Sequence, residues 1–141
     1  MRISGIQLGY DDHEGLDDRL VRAADLVRTQ HSADLIVLPE LWPSSGFGYR
    51  NWGAAAQTLD GPIVTAMRAA ARETGAHLHM GSLIEGTPEA LERLASVDHD
   101  VKRLPELPDG ERGLWNTSVL IDPTGEIIAV YRKIHRFGFG N

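Results

Sequence analysis

A carboxylate stands at the end of a stretch that reads as a buried strand. Residues Leu35 to Leu38 are four consecutive apolar residues, which predict a short strand buried on both faces. Pro39 ends this strand because proline has no amide hydrogen for a sheet, and Glu40 follows directly. A charge at this position is costly unless it is paired or used, and α/β proteins bind ligands at such strand ends. A surface glutamate in an ordinary loop is the simpler alternative.

Lys133 occupies the corresponding position after a later strand. Residues 127–131 are mostly β-branched and apolar, and a basic segment, residues 132–135, comes directly after them. If this strand runs in the same direction as the strand at 35–38, Glu40 and Lys133 lie at one edge of the sheet. A carboxylate that accepts a proton beside an ammonium that stabilises an oxyanion is a recurring catalytic pair. A structural ion pair is the alternative.

The pattern between these two residues predicts an α/β protein. Apolar periodicity predicts a strand at 2–8 and a helix at 16–28 with Asp12 as its cap, before the strand at 35–38. A second helix is predicted at 63–74, between Asp60 as cap and Gly75 as stop, and a strand at 77–82 follows it. The last predicted element is a hairpin at 114–122 and 126–132 around a type I turn. The aromatic residues of the loop after Glu40, namely Trp42, Phe47 and Tyr49, are candidate substrate-binding residues, with simple packing as the alternative.

Composition bounds the class of protein. The 141 residues fit one domain, and a hydrophobic content of 42% with 24% charged residues is typical of a globular chain. The net charge of −6 argues against a nucleic acid or an acidic membrane as partner. No apolar run is long enough to span a bilayer, and the first residues do not resemble a signal peptide, so we expect a cytoplasmic protein.

The sequence contains no cysteine. This excludes disulfides, thiolate metal ligands and a cysteine nucleophile within these residues. His77 and His79 share one face of a predicted strand, but two ligands do not make a metal site, so no metal is predicted. A metal-dependent hydrolase that uses Glu40 with His77, His79 or His135 is therefore the weakest alternative.

Residues 85–113 differ in composition from the rest of the chain. They contain eight acidic and four basic residues, three prolines and few large apolar side chains. Apart from a short helix at 88–94, we expect this stretch to be a charged loop insertion that connects two strands.

Five short motifs, taken together in their order, identify a family. They are Leu38-Pro39-Glu40, Asp60-Gly61-Pro62, Gly81-Ser82, Asn116-Thr117-Ser118 and Tyr131-Arg132-Lys133-Ile134-His135. In this order they resemble the nitrilase superfamily, the carbon–nitrogen hydrolases. The resemblance extends from about residue 2 to residue 135, apart from the charged stretch.

The resemblance implies an α-β-β-α sandwich, of which this chain is the N-terminal half, and a Glu-Lys-Cys catalytic set. Glu40 matches the general base and Lys133 the residue that stabilises the tetrahedral intermediate, whereas the nucleophilic cysteine would lie beyond Asn141. The implied substrate is a small amide or nitrile, with no cofactor, no metal and a homo-oligomeric intact enzyme. Alone, these residues are expected to be inactive and to aggregate. A non-catalytic binding or oligomerisation module with the same fold is the alternative.

Overall fold

A computed structural model describes residues 1–11, 13–46, 52–96 and 113–135. Its elements are β1 (Ile3–Gly5), α1 (Leu16–Arg28), β2 (Leu35–Val37), a 3-10 turn (Trp42–Ser44), α2 (Pro62–Thr74), β3 (His77–Gly86), α3 (Pro88–Ser96), β4 (Leu114–Ile121) and β5 (Ile127–Arg132). The predicted α/β class and the order of its main helices and strands are confirmed.

The five strands form one sheet in which strand order follows chain order, β1-β2-β3-β4-β5. β1, β2 and β3 are parallel, and β4 and β5 are each antiparallel to the strand before them. Two reversals restore the original direction, so β5 runs the same way as β2. The condition for Glu40 and Lys133 to share an edge of the sheet is therefore met.

The main core lies between the sheet and the helices α1 and α2. Both helices connect parallel strands, and such crossovers place their helices on one face of a sheet. The apolar stripes of the two helices contribute Ala23, Val27, Ile63 and Met67, which are almost completely buried together with Ile36 and other residues of the strands. The helical periodicity seen in the sequence thus corresponds to the faces that are buried.

The helix ends differ in part from the prediction. α2 begins after Gly61 rather than Asp60, and the side-chain oxygen of Gln57 accepts a hydrogen bond from the Ile63 amide at 2.8 Å. Gln57 therefore satisfies one of the free amides that Asp60 was expected to bind. Gly75 ends α2 in the left-handed conformation, as predicted. The cap predicted for α1, at residue 12, lies outside the described residues, and Gly15 occupies the capping position.

The opposite face of the sheet carries apolar residues that are only partly covered. Ile36 on the helix side is fully buried, but Leu35 and Val37 on the opposite face are half-buried, and Ile3 beside Leu35 is 58% exposed. The prediction that β2 is buried on both faces is therefore wrong for the part of the chain that the structure describes. None of the helices in that part is both long and apolar enough to cross a membrane.

The charged insertion predicted to begin at residue 85 does not begin there in the structure. β3 continues through Gly86, so Glu85 belongs to a strand, and its side chain is only 8% exposed. The predicted short helix is present as α3, which is two residues longer at its C-terminal end and contributes Ala90 to a small apolar cluster. Residues 97–112 lie outside the described residues.

Candidate active site

The backbone around Glu40 is positioned by the motif Gly81-Ser82 of β3. Gly81 has a φ of +69°, and a Cβ atom built on it would lie 1.9 Å from the carbonyl oxygen of Pro39. Only glycine allows this approach and this conformation together. On the other side of Glu40, the amide of Leu41 donates a hydrogen bond to the hydroxyl of Ser82 at 3.1 Å. The two residues of the motif therefore fix the backbone on both sides of the candidate base.

The loop after Glu40 is tightly wound and largely buried. Leu41 adopts the left-handed conformation with a φ of 51°, which is uncommon for a leucine. Its carbonyl oxygen accepts hydrogen bonds from the amides of Ser44 and Gly46, and the buried guanidinium of Arg19 binds the carbonyl of Pro43 at 3.0 Å. Strained conformations of this kind persist where the surrounding structure enforces them, often at functional sites.

Lys133 is brought to Glu40 by the hairpin of β4 and β5. The Lys133 amide donates to the carbonyl of Asn116 at 2.9 Å, which continues the ladder one residue beyond β5. The Lys133 ammonium then donates to Oε1 of Glu40 at 2.7 Å, and the side-chain amide of Asn116 donates to the same oxygen at 2.6 Å. The predicted pair therefore lies in direct contact, and a third residue completes it.

These contacts fix the protonation state of Glu40. The hydrogen bond from Lys133, followed by that from Asn116 and by the positive charge of Lys133, holds the pKa of the Glu40 carboxyl below its ordinary value, although desolvation acts in the opposite direction. At neutral pH Glu40 is therefore a carboxylate that can accept a proton. Its second oxygen receives neither of these two hydrogen bonds. Lys133 can stabilise an anion that forms beside it.

The pair faces a cavity of about 320 Å³. Its polar lining consists of Glu40, His79, Ser82, Asn116, Ser118, Tyr131, Lys133 and His135. Nδ1 of His79 is buried and has no hydrogen-bond partner among the described residues. Because the wall combines a base, a cation and several hydrogen-bonding groups, the cavity suits a small polar molecule.

Of the three predicted substrate-binding aromatics, the structure describes Trp42, which is not among the residues that line this cavity. Trp42 is fully buried in the main core, and its indole nitrogen donates to the carbonyl of Met80 at 2.9 Å. It therefore anchors the loop after Glu40 to β3 from within the core. Phe47 and Tyr49 lie outside the described residues.

Asn116 is the site residue whose contribution the sequence did not reveal. It belongs to the motif Asn116-Thr117-Ser118, which by itself indicates no chemical role for the side chain. Its signal is the alternation of polar residues on one face of β4, where Asn116 and Ser118 both line the cavity. Among the described residues, no group of three or more histidine and carboxylate side chains could hold a metal ion, and His77 and His79 form no such group.

Comparison with known proteins shows the family to which the chain belongs. The family model described as carbon-nitrogen hydrolase matches residues 2–139 of the chain. The chain belongs to the carbon-nitrogen hydrolase family. The resemblance to the nitrilase superfamily that the five motifs indicated is thereby confirmed.

Two curated proteins are similar to almost the whole chain. It is 40% identical over 139 residues to a 2-oxoglutaramate amidase of Paenarthrobacter nicotinovorans, covering 99% of this chain and 41% of the amidase. It is 31% identical over 137 residues to a hydrolase of Schizosaccharomyces pombe, covering 96% of this chain and 35% of that protein. The chain thus spans less than half the length of these relatives.

Solved structures share the fold of this chain. Nit3 of Saccharomyces cerevisiae, a member of branch 10 of the nitrilase superfamily, matches with a TM-score of 0.65 at 20% identity over 94% of this chain and 44% of Nit3. The NitFhit protein of Caenorhabditis elegans matches with a TM-score of 0.67 at 21% identity over 99% of this chain and 29% of NitFhit. At this identity the likeness extends to the fold alone.

Proposed function

We propose that the full-length protein, meaning the product of the complete reading frame that contains these 141 residues, hydrolyses the carbon–nitrogen bond of a small amide. The contact between Glu40 and Lys133 carries this proposal, because it joins a base and a cation at one edge of the sheet in a member of the carbon-nitrogen hydrolase family. The homologous amidase makes 2-oxoglutaramate the first substrate to test.

The proposed reaction proceeds through an acyl-enzyme. Glu40 takes the proton of a cysteine thiol, and the thiolate attacks the amide carbon. The carbonyl oxygen becomes an oxyanion that the Lys133 ammonium stabilises. The carbon–nitrogen bond then breaks as Glu40 returns the proton to the leaving nitrogen. Water, deprotonated by Glu40, releases the acid and restores the thiol.

The cysteine of this scheme must come from outside these 141 residues, because they contain none. We propose that it is supplied by the remainder of the full-length protein, and that the 141 residues alone are inactive. The oligomeric state of the full-length protein, expected to be a homo-oligomer, is part of the same proposal.

Release of ammonia from 2-oxoglutaramate by the purified full-length protein tests the proposal. Glu40→Gln and Lys133→Ala are each expected to lower kcat by about 10² to 10⁴, because each removes a group that acts in the transition state. Glu73→Gln is the matched control, since Glu73 of α2 forms a similarly exposed ion pair with Arg28 of α1, on the helices that cover the opposite face of the sheet.

Near-normal turnover in either site variant would contradict the assigned roles. A complete reading frame without a cysteine, together with no hydrolysis of 2-oxoglutaramate, glutamine, asparagine or a simple nitrile, would instead favour a non-catalytic module that retains the fold.

A further inference from the structure

A second ion pair lies on the face of the sheet opposite the candidate active site. The Glu85 carboxylate receives two hydrogen bonds from the Arg132 guanidinium, at 2.8 Å from Nε and 2.5 Å from Nη2. A third comes from the Thr117 hydroxyl at 2.7 Å. The side chain of Glu85 is buried, and a two-point contact between a guanidinium and a carboxylate fixes both orientation and distance.

The position of Arg132 connects this ion pair to the active site. Arg132 immediately precedes Lys133, and successive residues of an extended chain point to opposite faces of a sheet. Thr117, paired with Arg132 across the two strands, is fully buried on the helix-covered face. Lys133 consequently points to the other face, where its ammonium contacts Glu40.

The Arg132 side chain spans the whole width of β4. It starts on β5, lies with its guanidinium carbon 4.4 Å from the centre of the Trp115 ring on β4, and ends on Glu85 of β3. Three strands are therefore joined at the level where the chain leaves β5. The stacking on Trp115 adds a cation–π contact to the two hydrogen bonds.

Packing alone contributes little to this end of β5. The side chains of Val130 and Tyr131 are 45% and 57% exposed, so little apolar area is buried there. Beyond the strand, the Lys133 amide donates a hydrogen bond to the carbonyl of Asn116. An end that is so weakly packed would fray unless a specific contact fixed it.

We propose that Glu85 is a positioning residue for Lys133. Through Arg132 it fixes the C-terminal end of β5, and so it sets the distance between the Lys133 ammonium and the Glu40 carboxylate. This proposal rests on the function proposed above only for its catalytic consequence. The claim that Glu85 sets the distance between Glu40 and Lys133 does not depend on which substrate the protein binds.

The experiment compares Glu85→Gln with Glu126→Gln in the full-length protein. Glu126 is the matched control because it also pairs with an arginine, Arg68 at 2.9 Å, but immediately before β5, at the end away from Lys133. The Glu40 titration is followed by carbon-13 NMR of glutamate labelled at the side-chain carboxyl. The Glu40 signal is the one that disappears in Glu40→Gln.

The two possible effects on the Glu40 titration have opposite signs. Removing a negative charge at Glu85 directly would favour ionised Glu40 and lower its pKa. Loosening Lys133 removes the hydrogen bond that lowers the pKa, so the titration midpoint rises. We expect the midpoint to rise in Glu85→Gln and to stay unchanged in Glu126→Gln. A midpoint that falls or does not move in a folded Glu85→Gln protein would overturn the proposal.

Kinetics provide the second measurement. We expect Glu85→Gln to lower kcat about tenfold or more with KM nearly unchanged, because displacement of a catalytic group by about 1 Å can cost up to about 10²-fold. A kcat equal to that of Glu126→Gln would also overturn the catalytic consequence. If the protein hydrolyses no amide, the function proposed above fails while the NMR titration still decides the positioning role.

Arg132→Lys covers the case in which Glu85→Gln does not fold. It keeps the positive charge opposite Glu85 but removes the two-point contact and the planar group above Trp115. A smaller rise of the Glu40 midpoint is expected, and a midpoint identical to that of the unsubstituted protein would contradict the proposal.

Discussion

The pairs Glu40–Lys133 and Glu85–Arg132 lie on opposite faces of the same sheet, and their basic residues are consecutive at the end of β5, yet their surroundings differ. The side chains of Glu40 and Lys133 are 56% and 37% exposed, whereas that of Glu85 is 8% exposed and that of Arg132 50%. An exposed ion pair contributes about 0 to 1 kcal/mol to the free energy of folding, so a contribution to stability hardly explains why Glu40 and Lys133 are paired. The second pair fixes the scaffold on which the first depends.

The two pairs also differ in how the chain positions them. Glu40 lies in a loop, and its position depends on the close approach of Gly81 to the Pro39 carbonyl and on the hydrogen bond from the Leu41 amide to the Ser82 hydroxyl. Glu85 and Arg132 lie within strands, and their side chains make the contact across β4. The first pair should therefore be sensitive to backbone changes in β3, and the second to loss of a side chain.

The largest effect on stability is expected from Gly81→Ala. The new methyl group would lie 1.9 Å from the Pro39 oxygen in a conformation with positive φ, so we expect unfolding free energy to fall by about 3 to 5 kcal/mol. Gly75→Ala is the matched control, because Gly75 has the same φ of +69° with open space around it. It should cost about 1 to 2 kcal/mol. Equal losses in denaturant unfolding would show that the contact with Pro39 is unimportant.

A smaller effect is expected when a side chain of each pair is truncated. Glu85→Ala leaves Arg132 and Thr117 without their acceptor, so it should lower the unfolding free energy by about 2 kcal/mol. Glu40→Ala should change it by less than about 1 kcal/mol, since the pair is exposed. Urea unfolding of the full-length protein measures both. A loss for Glu40→Ala as large as that for Glu85→Ala would remove the distinction between the two pairs.

A third group of charges, Glu14 with Arg19 and Arg22, makes the stability of the protein depend on pH. Hydrogen bonds from Arg22 and then Arg19 lower the pKa of Glu14 to about 2 from an ordinary value of 4.5. Because the folded pKa is the lower one, this stabilisation is complete above pH 4.5 and is lost as the pH falls towards 2. Unfolding measured at pH 5 and pH 3 should show a smaller loss in Glu14→Gln than in the unsubstituted protein. An equal loss of unfolding free energy in both proteins would contradict the lowered pKa of Glu14.

The sequence predicted Glu40 and Lys133 because each follows an apolar strand directly, and the family motifs assigned their roles. It did not predict Glu85, since a glutamate interrupts the apolar pattern of β3 and its partner lies 47 residues away along the chain. A buried charge in a strand is recognisable only when the partner is known. For the same reason Gln57, five residues before α2, was not expected to replace Asp60 at the start of that helix.

The extent to which each side chain is buried was the other property that the sequence predicted poorly. The apolar run Leu35 to Leu38 fits a strand covered on both sides, but within the described residues the face with Leu35 and Val37 is only partly covered. Local pattern reports which residues can be buried, and not which other segment covers them. Trp42 shows the opposite error, because it was predicted to bind substrate on account of its place near Glu40 and is instead buried in the core.

The order of strands in the sheet has a consequence for synthesis on the ribosome. Each strand pairs with the strand made just before it, so every new strand finds its template already present as the chain emerges. The sheet can therefore grow in the direction of translation, without waiting for distant segments. Glu40 and Lys133 are 93 residues apart and meet only when β5 is added. In such a vectorial assembly the charge pair is the last part of this sheet to form.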